Sequence, residues 1–376
     1  DLHLCDRRQR QMCIRDRDVY WKRCKAEHHP LKYALFVSFF PQILQGPIGR
    51  YSRLAHQLYE PHKFESANIT RGLERILWGF FKKMILADWS AVFVDAIFDN
   101  PNQYGGLAIF GVLFYTIQLY ADFSGGIDVV IGVSELFGIR LDENFRQPYF
   151  SKSIGEFWRR WHMTLGGWFR DYLYIPLGGN RVSVLRWCFN MFVVWLLSGL
   201  WHGAGWNFAL WGLYFGAFLS AEKLIGKKWK ERSFKIADIS ANNDGNGGNR
   251  ENMFLSCVRN IIEHGYVLLV VLVSFVIFRV ESVREIKEQL LGLAGSYGNA
   301  MTPMAAYEIK SYLILLLIAC AGATPVPAMC VQRLKNTNMW KKSGWLLQSC
   351  YILTGLVLAT AFLLGSSVHP FLYFRF

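Results

Sequence analysis

Two histidines stand in sequence surroundings that favour proton transfer. His202 lies between two apolar segments, beside Gly203 and Gly205, which permit close backbone approach, and beside Trp201 and Trp206, which provide aromatic walls. Since the unperturbed pKa of histidine lies close to neutrality, such a residue can take a proton from a hydroxyl group and later return it, as acyl transfer to an alcohol requires. A histidine that merely lies at the membrane interface, at the tip of a hairpin, explains the same spacing equally well.

His162 is the second candidate for this chemistry, and it ends an aromatic and basic run that begins at Phe157. If the run is helical, His162 shares a face with Trp158. The pattern alone favours an anchoring role, because aromatic and basic residues commonly hold helices at the headgroup level. Three nearby arginines could bind the phosphates of a coenzyme A donor, those of an acyl-carrier phosphopantetheine group, or lipid headgroups: Arg159, Arg160 and Arg170.

Two aspartates occur inside an apolar stretch. Asp122 and Asp128 flank Ser124, Gly125 and Gly126, which predicts a polar pocket that faces the interior of a helical bundle. Close packing of helices through these small residues is at least as good an interpretation.

The elements that position these residues are membrane helices. Of 376 residues, 52% are hydrophobic and 18% are charged, and the apolar residues form blocks that approach the roughly 20 residues that cross a bilayer as a helix. The formal net charge is +13. The lysines and arginines responsible for it, for example Lys82 and Lys83, are predicted to lie in short loops between these blocks, as the positive-inside rule requires. We therefore expect an all-α, polytopic protein with membrane lipid as a partner and no nucleic acid.

Signatures of other chemistries are missing from the sequence. It has no Walker-type phosphate loop, no GxSxG elbow and no HExxH helix, and Gly178-Gly179-Asn180 predicts a turn. The eight cysteines occur singly, without the spacing of a metal site or a disulfide framework. No metal is expected.

Apolar blocks predict the order of the elements. Membrane helices are predicted at 76–98, 107–138, 187–200, 206–221, 264–278, 312–329 and 346–364. A broken apolar segment at 33–48 predicts a re-entrant or interfacial element, and the stretch 140–181 predicts an interfacial helix pair. Residues 226–251 predict a soluble connection, and 286–293 an amphipathic helix. Residues 1–18 lack any apolar period and look foreign, so we expect 19–376 to be a membrane domain without its first native helices.

Several long motifs carry a family resemblance. They are Tyr120 to Asp128, Glu143-Asn144-Phe145, Pro148-Tyr149, Phe157 to His162, Trp168 to Arg181, Ser198 to Gly203 and Pro370 to Phe374. Together they resemble the bacterial AlgI-like branch of the membrane-bound O-acyltransferase (MBOAT) family, from about Val19 to Phe376. The family pattern usually has Tyr-Ser before the aspartate, where this chain has Gly126-Ile127, so no role is carried over to that loop.

The resemblance implies a polytopic bundle with re-entrant and interfacial helices around a central tunnel, in the inner membrane of a bacterial cell. His202 matches the family's catalytic histidine, which would act as general base, and His162 matches a second active-site histidine. The implied reaction passes an acyl group, expected to be acetyl, from a cytoplasmic donor such as acetyl-CoA to a hydroxyl of alginate or another cell-surface polysaccharide. Transfer is direct or goes through an exported SGNH-type acetyltransferase partner.

Two other functions stay open. Teichoic-acid D-alanyl transfer from an aminoacyl carrier protein belongs to the same superfamily. A polytopic transporter or channel also buries ionisable residues among many helices, although no inverted repeat is visible here.

Overall fold

The computed structural model describes residues 15–43, 45–240, 249–296, 298, 302–324 and 326–365. In these ranges the regular structure is helical, with no strand. The α-helices are α1 (15–20), α2 (Pro30–Ser38), α3 (Phe40–Ile43), α4 (Tyr51–Tyr59), α5 (Ser66–Phe80), α6 (Asp88–Asp99), α7 (Pro101–Tyr104), α8 (Ile109–Leu136), α9 (Ile154–Arg160), α10 (Met163–Phe169), α11 (Val184–His202), α12 (Trp206–Ser240), α13 (Asn249–Arg279), α14 (Val283–Leu291), α15 (Pro303–Ala323), α16 (Val326–Lys335) and α17 (Asn338–Gly365). Short 3-10 segments occur at Gly105–Ala108 and Pro148–Phe150, and π-helical segments at Phe81–Ala87, Arg170–Tyr174 and Gly292–Ser296.

Among the described residues, five helices are long and apolar enough to cross a membrane. They are Val184–His202, Trp206–Gly226, Cys257–Arg279, Pro303–Gly322 and Asn338–Gly365. The predicted helices 187–200, 206–221, 264–278 and 346–364 lie inside these spans, so the all-α membrane class is confirmed. The predicted helices 76–98 and 107–138 are also helical, but they are not among the five apolar spans.

Two predicted boundaries are wrong. The predicted helix 312–329 is divided, because α15 ends at Ala323 and α16 begins at Val326. The sequence has Pro325 after Thr324, and the helical region is disfavoured for a residue that precedes proline; Pro327 falls in the first turn of α16, where proline is tolerated. The predicted connection 226–251 is largely helical, since α12 continues to Ser240 and α13 begins at Asn249. Residues 227–240 contain four lysines and no glycine or proline, a composition that is compatible with helix. Residues 241–248 and 1–14 lie outside the described residues.

The other predicted elements are present as short helices. Residues 33–48 hold α2 and α3, separated at Phe39, whose backbone is extended. Residues 140–181 hold α9 and α10, and Ser153 caps α9 by accepting a hydrogen bond from the Glu156 N–H at 3.0 Å. The amphipathic helix predicted at 286–293 is α14 followed by a π-helical turn.

The chain divides into two compact units. The first comprises Asp1–Asp95, Phe114–Asn144 and Ile314–Phe376. Within it α5 and α8 approach through glycines: a Cβ atom on Gly79 would lie 2.6 Å from the Gly125 carbonyl oxygen, and one on Gly132 would lie 2.7 Å from that of Gly72. This close approach of backbones is the small-residue packing that the sequence left open as an alternative.

The second unit comprises Ala96–Leu113 and Phe145–Leu313. Its central feature is the antiparallel hairpin of α11 and α12. Glycines again let the backbones meet, because a Cβ atom on Gly199 would lie 3.0 Å from the carbonyl carbon of Phe208, and one on Gly212 would lie 2.9 Å from that of Trp195. The hairpin carries His202 at the end of α11.

Candidate active site

His202 is the last residue of α11, and its imidazole lies among four aromatic rings. The ring centroids of Trp201, Phe278 and Trp211 lie 4.9, 5.1 and 5.3 Å from that of His202, and Phe208 follows at 6.2 Å. These rings make the surroundings of the imidazole apolar, while His202 itself is partly exposed. A hydroxyl group that reached His202 would therefore meet it in an apolar setting.

The turn between α11 and α12 brings these rings together. Gly203 has an extended backbone that ends α11, and a Cβ atom there would lie 2.5 Å from the ring of Phe208. The side-chain amide of Asn207 donates a hydrogen bond to the carbonyl oxygen of Phe278 at 3.1 Å. The prediction that Trp206 walls the site is wrong, because its side chain is 81% exposed. Phe208, two residues further along α12, lies beside the histidine instead.

His162 has a strained backbone. It precedes α10 with φ 45° and ψ 53°, in the left-handed region that non-glycine residues rarely occupy and that is enriched at functional sites. Its side chain is buried, and its ring lies parallel to that of Phe145, 6.5 Å away. The predicted helical face shared with Trp158 is wrong, since α9 ends at Arg160 and Trp161 is extended.

Trp201 connects the two histidines. Its ring centroid lies 6.2 Å from that of His162 and 4.9 Å from that of His202. The structure thus brings both sequence-predicted histidines to one aromatic cluster in the second unit. Two groups that can carry protons beside one buried surface fit acid–base chemistry on a bound substrate.

Trp211, which contacts His202, also belongs to a cluster of large aromatic side chains. Trp158 contacts Trp195, Trp211 and Phe215, with centroid distances of 4.7, 5.5 and 4.8 Å. Among the described residues, the buried indole nitrogens of Trp158 and Trp211 have no hydrogen-bond partner. Buried N–H donors normally make a hydrogen bond, and an oxygen of a bound ligand can accept one from these indole groups. Sequence analysis missed Trp195 and Trp211 because tryptophans on apolar helices look the same whether they face lipid or a site.

The three predicted phosphate-binding arginines lie along α9 and the turn after α10, and two of them are paired. Arg160 contacts Glu156 at 2.6 Å, and Arg170 contacts Asp171 at 2.8 Å, while Arg159 is exposed. Burial acts to raise the pKa of Glu156, but the hydrogen bond from the Lys152 N–H and the charge of Arg160 outweigh it, so the pKa lies below its usual value. The side chains of Arg160 and Arg170 are 29% and 66% exposed in these pairs, so both guanidinium groups keep surface that is accessible to an anion.

The aspartates at 122 and 128 lie in the middle of α8 in the first unit, within continuous helix rather than a loop. The two residues are 2% and 8% exposed, which confirms a buried polar site. Asp122 pairs with Lys83 at 2.7 Å, and Asp128 pairs with Lys82 and, at 2.9 Å, with Arg75. The buried carboxylates are therefore charge-compensated within the bundle.

The lysines of this network correct a further prediction. Lys82 and Lys83 do not lie in a basic loop; they belong to the π-helical segment Phe81–Ala87 and are buried. Lys83 also contacts Asp88 at 2.8 Å. Two lysines beside an apolar block have the same composition as the cytoplasmic flank of a membrane helix. Only the aspartates of α8 indicate that these lysines form ion pairs inside the bundle.

Comparison with known proteins gives one family and several bacterial relatives. The model of the MBOAT, membrane-bound O-acyltransferase family, matches residues 22–241. A Probable alginate O-acetylase AlgI of Pseudomonas putida is 33% identical over 374 residues, covering 96% of this chain and 72% of the relative. One of Pseudomonas fluorescens is 38% identical over 282 residues, covering 75% of this chain and 52% of the relative. A Peptidoglycan O-acetyltransferase of Helicobacter pylori is 34% identical over 367 residues, covering 93% and 65%. The chain thus spans about half the length of the Pseudomonas fluorescens relative.

Proposed function

We propose that this chain, which belongs to the membrane-bound O-acyltransferase family, transfers an acetyl group from a cytoplasmic donor to a hydroxyl group of a cell-surface polysaccharide. The observation that carries the proposal is the position of His162 and His202 on one aromatic cluster, 6.2 and 4.9 Å from the ring of Trp201. Five apolar helices and bacterial relatives support a multi-pass location in a bacterial inner membrane.

His202 is the general base in this proposal. Its imidazole takes the proton of the acceptor hydroxyl while the hydroxyl oxygen attacks the carbonyl carbon of the acyl thioester. The tetrahedral intermediate collapses, the carbon–sulfur bond breaks, and the leaving thiolate takes the proton from the imidazolium. The product is an ester and a free thiol, and His202 returns to its starting state. The aromatic rings around the imidazole support this role, because apolar surroundings strengthen the hydrogen bond between the imidazole and the acceptor hydroxyl.

Two other residues act on the acyl group. His162, fixed in its left-handed conformation, orients the acyl group toward His202. The buried indole N–H of Trp211, without a partner among the described residues, donates a hydrogen bond to the acyl carbonyl oxygen, where negative charge develops. The centroid distance of 5.3 Å between Trp211 and His202 supports a shared substrate.

The donor and the acceptor follow from the chemistry of the family. Acetyl-CoA, or another acyl thioester, presents phosphates to Arg159, Arg160 and Arg170, which supports a role for these guanidinium groups in donor binding. The relatives are named for alginate and for peptidoglycan, which are both polymers of hydroxyl-bearing sugars. We propose a polysaccharide acceptor, reached directly or through an exported SGNH-type acetyltransferase partner.

The experiment that tests this function uses membranes that contain the full-length protein. They are supplied with acetyl-CoA labelled in the acetyl group and with either alginate or peptidoglycan, and label in the polymer is counted after hydrolysis of esters. Ester-linked acetate on a polysaccharide is expected. Transfer of D-alanine from a charged carrier protein, with no acetyl transfer, would replace the proposal with teichoic-acid D-alanylation, and solute flux in proteoliposomes without any acyl transfer would replace it with transport.

A further inference from the structure

One acidic residue of α12 holds the beginning of the segment that carries His162. The carboxylate of Glu222 accepts hydrogen bonds from the backbone N–H groups of Ile154 and Gly155, at 2.5 and 3.0 Å. The first N–H groups of a helix have no partner within the helix, and a negative charge beside them is favoured by the helix dipole. Glu222 therefore fixes the point at which α9 begins.

The next residue of α12 holds the other end of the same segment. The ammonium group of Lys223 lies 3.9 Å from the ring centroid of Trp187 and donates a hydrogen bond to the side-chain oxygen of Asn180. Asn180 also accepts from the Tyr174 hydroxyl at 2.7 Å, and that hydroxyl accepts from the Trp187 indole N–H at 2.7 Å. Lys223 thus completes a set of contacts that fixes the glycine-rich turn after α10.

The segment between these two anchors, residues 154–180, contains His162. Ile154 and Phe157 are fully buried, and their apolar contacts set the lateral position of α9. Such contacts are non-directional, so they resist a shift along the helix axis less well than a two-oxygen hydrogen-bonded cap does. Since α9 is a short rigid rod, a shift at Ile154 is carried to its end at Arg160. The Trp161 N–H donates a hydrogen bond to the Phe157 carbonyl oxygen at 2.9 Å, which ties the residue before His162 to the same helix.

We propose that Glu222 and Lys223 are positioning residues for acyl transfer: adjacent on α12, they hold both ends of segment 154–180 and thereby keep the His162 imidazole beside the Trp201 ring. The inference rests on the proposed function. Neither side chain touches the reacting groups, and both act through His162. Glu222 and Lys223 of the long helix α12 thus fix the positions of α9 and α10. No continuous ladder of backbone hydrogen bonds joins these two short helices.

A purely stabilising role makes a different prediction. Loss of a cap that only supports the fold reduces the amount of folded protein and leaves the turnover of each folded molecule unchanged. Loss of a positioning residue lowers kcat for every folded molecule, because a displaced catalytic group is costly even at fractions of an ångström. The binding of donor and acceptor, and hence both KM values, changes little.

The test compares four variants of the full-length protein in detergent: Glu222→Ala, Glu222→Gln, Lys223→Met and Lys223→Arg. The amount of folded protein is measured by fluorescence-detected gel filtration, and kcat and both KM values are measured with acetyl-CoA and polysaccharide. Glu263→Gln is the matched control, because Glu263 pairs with Arg259 four residues earlier on its own helix. Amide hydrogen exchange at residues 154–156 reports the cap independently of activity.

We expect kcat to fall about tenfold in Glu222→Ala and less in Glu222→Gln, which keeps one acceptor oxygen, with KM values within about twofold. Lys223→Met should lower kcat and Lys223→Arg should restore most of it, since arginine keeps the cation over the ring. Amide exchange at 154–156 should rise in the Glu222 variants and stay unchanged in Glu263→Gln. Wild-type kcat per folded molecule in both Glu222 variants would overturn the positioning role. Absence of acetyl transfer by the wild-type protein, both alone and with the exported acetyltransferase partner added, would overturn the proposed function itself.

Discussion

Replacing Gly199 by alanine tests whether the close approach of α11 and α12 sets the position of His202. The new Cβ atom would lie 3.0 Å from the carbonyl carbon of Phe208, closer still to its oxygen, and 3.2 Å from the backbone nitrogen of Gly212, whereas ordinary contacts begin at 3.4 Å. All three neighbours are backbone atoms, so the helices themselves must separate. Overpacking of this kind destabilises by about 1–3 kcal/mol. Since misplacement by 1 Å can lower a rate by about 10²-fold, a separation of a fraction of that distance predicts a loss of kcat of about tenfold.

Gly226→Ala on α12 is the control for this experiment. A Cβ atom at Gly226 meets no atom of the described residues within 4 Å, so this change should only raise helix propensity, by about 1 kcal/mol. Thermal unfolding in detergent and acetyl-transfer kinetics are measured on both variants beside the wild-type protein. A Gly199→Ala protein with wild-type kcat and wild-type unfolding temperature would show that the hairpin does not position the histidine.

Three further perturbations follow from the described contacts. Trp211→Phe keeps the buried ring but removes the indole N–H, which has no hydrogen-bond partner among the described residues. This variant should lower kcat about 10²-fold with little change in unfolding temperature; a wild-type kcat would remove Trp211 from the reaction. Lys83→Met leaves Asp122 buried without that cation and should destabilise by about 3–5 kcal/mol in detergent unfolding, and adding Asp122→Leu should recover part of the loss; no destabilisation in the single variant would contradict the pairing. The Glu156 carboxylate, whose pKa lies below the ordinary 4.5, stabilises the fold above that pH, and this contribution disappears as the pH falls through the folded-state pKa. Wild-type protein should therefore unfold at a higher temperature than Glu156→Gln at pH 7, and this advantage should shrink as the pH is lowered below 4.5; an advantage that grew on acidification would refute the assignment.

The sequence was sufficient for the elements that depend on apolar length. Uninterrupted apolar blocks gave the helices around 187–200, 206–221, 264–278 and 346–364, because a membrane helix must satisfy its backbone internally whatever its neighbours are. The Trp-His-Gly turn was also recognisable, since glycines beside an isolated histidine between two such blocks indicate a close turn. These features are local, and local rules decide them.

Features that depend on partners distant in the sequence were out of reach. Composition predicts a basic loop at Lys82 and Lys83, because no residue near them in the sequence indicates that they form ion pairs with Asp128 and Asp122 of another helix. Periodicity placed His162 on a helix, whereas the backbone leaves the helix at Trp161 and takes a left-handed conformation. Glu222 stands in the sequence as one more charge near the end of a span, and no residue near it indicates that the N–H groups of Ile154 and Gly155 donate to its carboxylate.

The most direct test of the central claim is acetylation of cell-surface polysaccharide in a deletion strain that carries the full-length wild-type protein, His202→Ala or the control His56→Ala, which changes an exposed histidine of α4. Membrane levels of the three proteins are first shown to be equal, and ester-linked acetate is then measured on the isolated polymer. We predict acetylation by the wild-type protein and by His56→Ala, and none above the deletion background by His202→Ala. Equal acetylation by all three would contradict histidine-dependent transfer at this site and place the chemistry elsewhere in the chain.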